Sequence, residues 1–495
     1  MKKDLSLPTL ILIITTTVFS FSSMTTAFFM MGSKSLPWFL ISGACYFIPY
    51  ALIVAQYTKK YADRSGTIFD WLKESLSPKL AFITAALWYC SYFTWMVSLF
   101  MRIMIPFSIL LFGKDISSAA SWFGISSQIW VALLSILSVF LLTALNTRGF
   151  QVIVSFLKIS SFAMVGLLIL SLISNLLIIS RHPAEFFPNI IGSIHADSFF
   201  TGTNNQFFSQ LPFFIFSITA FGGLDTVASL ADRTKKSKSR FPRAVIIAAV
   251  IITLLYFIGI ILWSGANNLE ALRQTNQMHL GNLMYGLMGT TAKNLAVSFN
   301  FSNSQTALLY QIFIRYTAFT LFVAYLSLLS SITFGPLKSL IQGTPKEIWP
   351  KKFVSLNSNQ MPVNALWLQA VLVALVILTL SLNNQFLGNL YNQLTYMTNV
   401  ARSIPYFVVA ISFPFFIQKN IVSDHERLIQ NKKNNYLLSI SVCLCILLAI
   451  GFQIYQPFKL GNYVDGFSLI IGPIIFVFLS RLLYQRFERR QALQL

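Results

Sequence analysis

The stretch LPFFIFSITAFGGLDTVASLAD, Leu211–Asp232, decides the fold class. Its apolar residues suit a bilayer interior. Yet the pair Gly222 and Gly223 interrupts its centre, and the carboxylate of Asp225 follows two residues later. Adjacent glycines weaken a helix and let the backbone open. An opened backbone in lipid leaves polar groups unpaired, so it persists only where protein buries it or where it lines a cavity. A charged side chain inside a membrane is costly and marks a functional site by default. Both features coincide here, which makes this stretch the candidate site.

The rest of the chain agrees with a membrane setting. Of 495 residues, 55% are hydrophobic and 10% charged. Many apolar runs reach the ~20 residues that a membrane helix needs. The expected class is an all-α polytopic membrane protein. Twelve spans are expected, at about 7–31, 36–58, 80–111, 128–146, 151–178, 207–231, 243–264, 306–334, 363–382, 394–418, 436–456 and 464–485. The first follows Lys2 and Lys3 but is too long for a signal peptide's core, and no A-x-A site follows it, so it reads as a retained helix.

The net charge of +21 raises the question of nucleic acid. Its distribution answers that question. With the N-terminus inside, cytoplasmic segments hold 26 of the 36 basic residues. The outer loops hold six: Lys34, Lys114, Arg181, Arg273, Lys293 and Lys459. Arg102, Lys158, Arg315 and Arg402 fall within spans. This bias is a positive-inside signal and puts both termini in the cytoplasm. Basic runs such as Arg233, Lys235, Lys236, Lys238, Arg240 and Arg243 flank helices, where anionic lipid headgroups are sufficient partners. No nucleic-acid partner is expected.

Between spans two and three, Lys59–Lys79 places Ile68, Phe69, Trp71, Leu72 and Leu76 against Asp70, Lys73 and Glu74. That pattern predicts an amphipathic helix lying at the cytoplasmic interface. Cys45, Cys90, Cys443 and Cys445 fall inside apolar runs and read as small core residues. No metal or cofactor is expected. The histidines (His182, His195, His279, His425) lie in loops, and neither H-E-x-x-H nor G-x-S-x-G occurs, which argues against a membrane-embedded enzyme. No G-x-x-x-x-G-K-[ST] loop supports primary transport, and no filter-like segment supports a channel.

A subtler correspondence links two spans. Ser20, Ser22, Ser23, Thr25 and Thr26 interrupt the first, as Gly222, Gly223 and Asp225 interrupt the sixth. Paired interruptions at corresponding positions of two halves point to a transporter site. The aromatic run Trp88, Tyr89, Tyr92, Trp95 in span three has helical spacing and reads as packing, with Tyr92 or Trp95 as residues that could face a cavity.

Several stretches resemble the amino acid–polyamine–organocation superfamily, close to its glutamate:GABA antiporter branch. They are FIPYALIVAQY (Phe47–Tyr57), GTIFDWLKESLSPKLAF (Gly66–Phe82), AFGGLDTVASLADRTKKSKSRFPRA (Ala220–Ala244), GPLKSLIQGTPKEIWP (Gly335–Pro350) and MPVNAL (Met361–Leu366). They cover all but the last two spans. The resemblance implies a LeuT-type fold: a transport core over 1–418, made of inverted five-helix repeats at about 7–178 and 207–418, then two additional helices and a tail over 419–495. It implies secondary transport of amino acids or their derivatives by alternating access, through exchange or proton-coupled uptake, in a bacterial inner membrane. The alternative is a transporter-like amino-acid sensor or a membrane-embedded non-transport protein. It places substrate on Ser22, Ser23 and Thr25 of span one and on Ala220, Phe221, Gly222 and Gly223 of span six. Asp225 matches an acidic position and is the expected proton-coupling or gating group. Arg315 and Arg402 are expected contacts for an anionic substrate or a gate. Two departures stand out: Ser22-Ser23-Met24 replaces the usual glycine-containing break of span one, and Gln56 stands where many relatives carry an acid.

Overall fold

The computed structural model describes residues 7–61, 67–116, 121–122, 125–196, 210–228, 237–274, 281–381, 387–419, 421 and 426–493. The expected basic residues Lys2, Lys3, Arg233, Lys235 and Lys236, and His279 and His425, lie outside the described residues.

The helices follow from the apolar runs. In chain order they are α1 (Leu7–Val18), α2 (Phe21–Met31), α3 (Ser35–Ile41), α4 (Ile48–Tyr61), α5 (Ile68–Lys73), α6 (Pro78–Arg102), α7 (Met104–Phe112), α8 (Ser127–Asn146), α9 (Phe150–Arg181) and α10 (Pro183–His195). The second half holds α11 (Pro212–Ala220), α12 (Leu224–Ala228), α13 (Ser237–Ala266), α14 (Leu269–Gln274), α15 (Leu283–Ser298) and α16 (Asn303–Gly343). It ends with α17 (Lys351–Val354), α18 (Val363–Ser381), α19 (Leu387–Gln418), α20 (Lys432–Lys459) and α21 (Tyr463–Ala492). A two-residue strand pair, Ser121–Trp122 with Ile125–Ser126, is the sheet among the described residues.

Ten described stretches are long and apolar enough to cross a bilayer. The first, Leu10–Tyr61, runs 52 residues and takes in both of the first two expected spans. The expected sixth span is absent from the ten because its described helices, α11 and α12, have only 9 and 5 residues. Exposed side chains such as Ile471, Ile474 and Phe478 on α21 are apolar, as a surface solvated by lipid requires.

Two features differ from the sequence expectation. The segment at α5 is not a surface helix: Ile68, Phe69, Asp70, Trp71 and Leu72 are all buried. Its polar face finds partners inside the protein. Lys73 Nζ donates to Asp70 at 2.7 Å, and Trp71 stacks on Tyr57 with centroids 5.4 Å apart. Thr67 and Ser339 share a hydrogen bond that ties the segment to α16. Second, α3 passes into α4 through a π-helical turn, Ser42–Phe47. Such turns often mark functional positions. Here Ser42 and Ser217 share a 2.6 Å hydrogen bond, which joins the turn to α11.

Candidate functional site between two broken helices

Both interrupted spans are broken, and the breaks meet. In the second half, α11 stops at Ala220 and α12 starts at Leu224. Gly223 takes φ +121°, a backbone that side chains rarely tolerate. The expected break at Gly222–Gly223 is therefore where the chain opens. In the first half the break lies at the leading edge of the expected Ser20–Thr26 interruption, ahead of the expected substrate residues. It falls at Phe19–Ser20, before Ser22, Ser23 and Thr25, which belong to α2. Ser20 is extended and caps α2: its Oγ accepts from Ser23 N at 3.1 Å. A serine cap lets the chain leave the helix here without a glycine.

One side chain serves both breaks. Tyr256 on α13 is fully buried, and its hydroxyl accepts from Ser20 N at 3.0 Å and donates to Ala220 O at 2.8 Å. Each break exposes backbone groups that lipid cannot solvate, and a buried unpaired group costs about 1–3 kcal/mol. A phenol has one donor and can accept, so Tyr256 satisfies one group of each break. Its ring also packs against Phe19 (4.9 Å), Phe39 (4.8 Å) and Phe221 (5.1 Å, edge-on). Phe221 in turn stacks on Phe47 at 4.5 Å.

Asp225, in the first turn of α12, has no exposed surface. Three donors hold its carboxylate. Trp88 Nε1 and Tyr92 OH (3.0 Å) donate to Oδ2, and Tyr406 OH (3.0 Å) donates to Oδ1. Tyr406 OH also accepts from Arg402 Nε at 3.2 Å, so it bridges the carboxylate and the guanidinium. Arg402 is 6% exposed and lies over Trp95, with 4.4 Å to the ring centroid, and over Tyr92 at 5.7 Å. A buried charge needs such partners, and here the two opposite charges share one network. A Cβ on Gly222 would lie 2.8 Å from Arg402 Nη2, so the missing side chain gives the guanidinium its place against the break.

The expected residues thus divide. Ala220, Phe221, Gly222, Gly223, Asp225 and Arg402 come together. Ser22 and Ser23 sit in the first turn of α2, partly exposed. Thr25 is buried, and its hydroxyl donates to Phe21 O and Ser22 O at 3.1 Å, within its own helix. Arg315 lies apart: it is exposed, and its Nη1 donates to Leu110 O in the last turn of α7. Sequence reasoning missed Trp88, Tyr256 and Tyr406. For Trp88 a signal existed, because Trp88, Tyr92 and Trp95 recur at helical spacing on α6, and buried Trp and Tyr tips seek a partner. Tyr46 and Tyr50 hydroxyls, also buried, make no hydrogen bond among the described residues.

Known proteins resemble this chain along nearly its whole length. The chain is 33% identical to the inner membrane transporter YjeM of Salmonella typhimurium over 494 residues, covering 99% of this chain and 97% of the relative. It is 30% identical to YjeM of Escherichia coli K12 over the same length and coverage. It is 22% identical over 472 residues to the aspartate/glutamate permease AcaP of Lactococcus lactis, covering 92% of this chain and 90% of that one. A family model described as amino acid permease matches residues 5–479. The chain therefore belongs to the amino acid permease family, and is a membrane transporter rather than an enzyme.

Proposed function

We propose that this protein carries amino acids across a bacterial inner membrane by alternating access, with the two helix breaks as the substrate site. The observation that carries this reading is the pair of breaks joined by Tyr256 beside the buried Asp225 carboxylate. Each break leaves half-helix ends directed inward. The N-terminus of a half-helix attracts a carboxylate, and free carbonyls at a break attract an ammonium. A zwitterion leaving water finds partners for both ends there. On this reading the chain has twelve spans, with halves 7–178 and 207–418 as inverted repeats, and both termini face the cytoplasm.

Arg402 favours an anionic side chain as the substrate's third feature. Its Nη2 lies against the Gly222 position, and neither Nη makes a hydrogen bond among the described residues. The aspartate/glutamate permease among the relatives is consistent with that preference. Asp225 is the coupling group. Bonded to Tyr406, Tyr92 and Trp88, it ties α12 to α6 and α19, and protonation would remove the charge that holds this network together. Transport is exchange or proton-coupled uptake on this basis.

Counterflow in proteoliposomes tests the reading. Vesicles loaded with unlabelled aspartate, glutamate, GABA or neutral amino acids are assayed for uptake of the labelled counterpart at two pH values. The expected outcome is stimulation by one class, with a pH dependence that Asp225→Asn abolishes. Folded protein giving no flux with any of them overturns the transport assignment. An unchanged pH profile in Asp225→Asn removes the coupling role alone.

A further inference from the structure

A second polar cavity, of about 250 Å³, lies away from the helix breaks, where α7 ends against α15 and α16. Charge distribution assigns this end of the molecule to the outside. Six basic residues are expected there; two donate to backbone carbonyls and a third lies over an aromatic ring. Lys34 donates to Ala196 O, Arg273 donates to Phe29 O, and Arg181 lies over the Phe299 ring at 4.6 Å. Lys459 ends α20. The remaining two, Lys114 and Lys293, line this one cavity. Lys114 has no hydrogen bond or ion pair among the described residues, and the Lys293 ammonium sits 5.0 Å from the centroid of Tyr310, a weak partner for a cation.

The wall complements more than a simple anion. Gly286, Thr290 and Lys293 occupy one face of α15, spaced by three or four residues, and Asn282 immediately precedes the helix. The Thr290 hydroxyl already donates to Gly286 O at 3.0 Å, so what it offers the cavity is an acceptor. Asp115 adds a carboxylate to the lining. Gly113, at φ +68°, ends α7 and turns the chain so that Lys114 and Asp115 reach this wall. A Cβ there would meet Gln311 Oε1 at 2.6 Å. Cationic donors and anionic or hydroxyl acceptors therefore share a cavity slightly smaller than typical drug-sized pockets.

We propose that this cavity is a second, outward-facing binding site for a free amino acid. Lys114 and Lys293 receive its carboxylate groups, and Asp115 and Thr290 receive its ammonium. Lying where α7 meets α15 and α16 on the expected outer side, it would act as a collecting site that raises the local substrate concentration before entry. It goes beyond the central site and shares no residue with it.

The test uses the full-length protein with Lys114→Gln and Lys293→Gln combined, both at exposed positions. The probes are L-glutamate and glutarate, which lacks the amino group. In oriented proteoliposomes, glutamate entry from the α15 side is expected to show a KM at least fivefold higher in the variant. The maximal rate and the KM from the opposite side stay unchanged, and the salt dependence of entry weakens. Equal KM values from the α15 side overturn the site. Equilibrium dialysis in detergent reads binding without transport: the variant is expected to lose one glutamate bound per chain, and glutarate to bind the wild-type site more weakly. Unchanged glutamate binding overturns the proposal even if glutamate is not carried. Absent flux in wild type, with lysine-dependent binding retained, would defeat the transport reading and leave this site standing.

Discussion

The two helix breaks solve one problem by different means. The second break, Phe221–Gly223, depends on backbone freedom: Gly223 adopts φ +121°, and Gly222 clears space for Arg402. The first, Phe19–Ser20, depends on a side chain. Ser20 has an ordinary extended backbone, φ −116° and ψ 110°, and its hydroxyl caps the helix that follows. One break is thus built into the backbone conformation. The other is held by side chains, the Ser20 cap on Ser23 N and the Tyr256 hydroxyl on Ser20 N. That difference assigns stiffness to the Asp225 side and compliance to the α1–α2 side. Tyr256 joins the stiff element to the compliant one.

The largest expected effect follows from removing that joint. Tyr256→Phe keeps the ring, and with it the packing against Phe19, Phe39 and Phe221. It deletes both hydrogen bonds and leaves the partly buried Ser20 N–H and the buried Ala220 C=O without that partner. At about 1–3 kcal/mol per orphaned group, the loss is about 2–6 kcal/mol. Thermal unfolding in detergent should drop clearly, and transport should fall further than stability alone explains. A variant as stable and active as wild type would show that the two breaks are independent, and the comparison would lose its link.

Gly223→Ala comes next. Space is not the obstacle, since the nearest atoms to a Cβ there are 3.8 Å away. The conformation is: a side chain at φ +121° carries strain of about 1–3 kcal/mol. The expected result is a lower unfolding temperature and slowed counterflow, with substrate affinity less affected than rate. Gly222→Ala provides the contrast. Its Cβ would press on Arg402 Nη2 at 2.8 Å. If Arg402 reads an anionic substrate, Gly222→Ala raises KM for that substrate specifically, whereas Gly223→Ala slows all of them. The same pattern in both would merge the two glycine roles into one.

How far the sequence carried these conclusions depends on the kind of signal. Gly222, Gly223 and Asp225 were legible because glycine pairs and intramembrane carboxylates are rare and have few explanations. The first break falls ahead of the expected substrate residues, because a serine cap leaves no conformational trace in composition. Five hydroxyl-bearing residues crowd that region, and only the fold distinguishes Ser20, which bonds Ser23 N, from Thr25, which bonds its own helix. The Asp225 partners were hidden for another reason. Trp88, Tyr92 and Tyr406 come from α6 and α19, far apart in the chain, and their meeting is set by packing alone. The α5 segment misled because amphipathic patterning fits a membrane surface and an ion-paired interior equally well: Lys73 neutralises Asp70 and permits burial.

The smallest effect is the sharpest test of the compliant break. Ser20→Ala leaves the backbone N–H that Tyr256 accepts from, so the joint between breaks survives. Only the cap on Ser23 N is lost. Losing a serine cap to alanine costs about 1 kcal/mol, while glycine at the same position costs a few tenths. Ser20→Gly should therefore resemble wild type in unfolding temperature and exchange rate. Ser20→Ala should be measurably less stable, with a rate change of less than about tenfold, since 1.4 kcal/mol is tenfold. The ordering Ser > Gly > Ala is specific to a cap, because a packing role for the serine hydroxyl would make glycine the worst of the three. Observing glycine worst would remove the cap from the first break. Its opening would then have to be assigned to the packing of Phe19 against Tyr256, and the first break would be as stiff as the second.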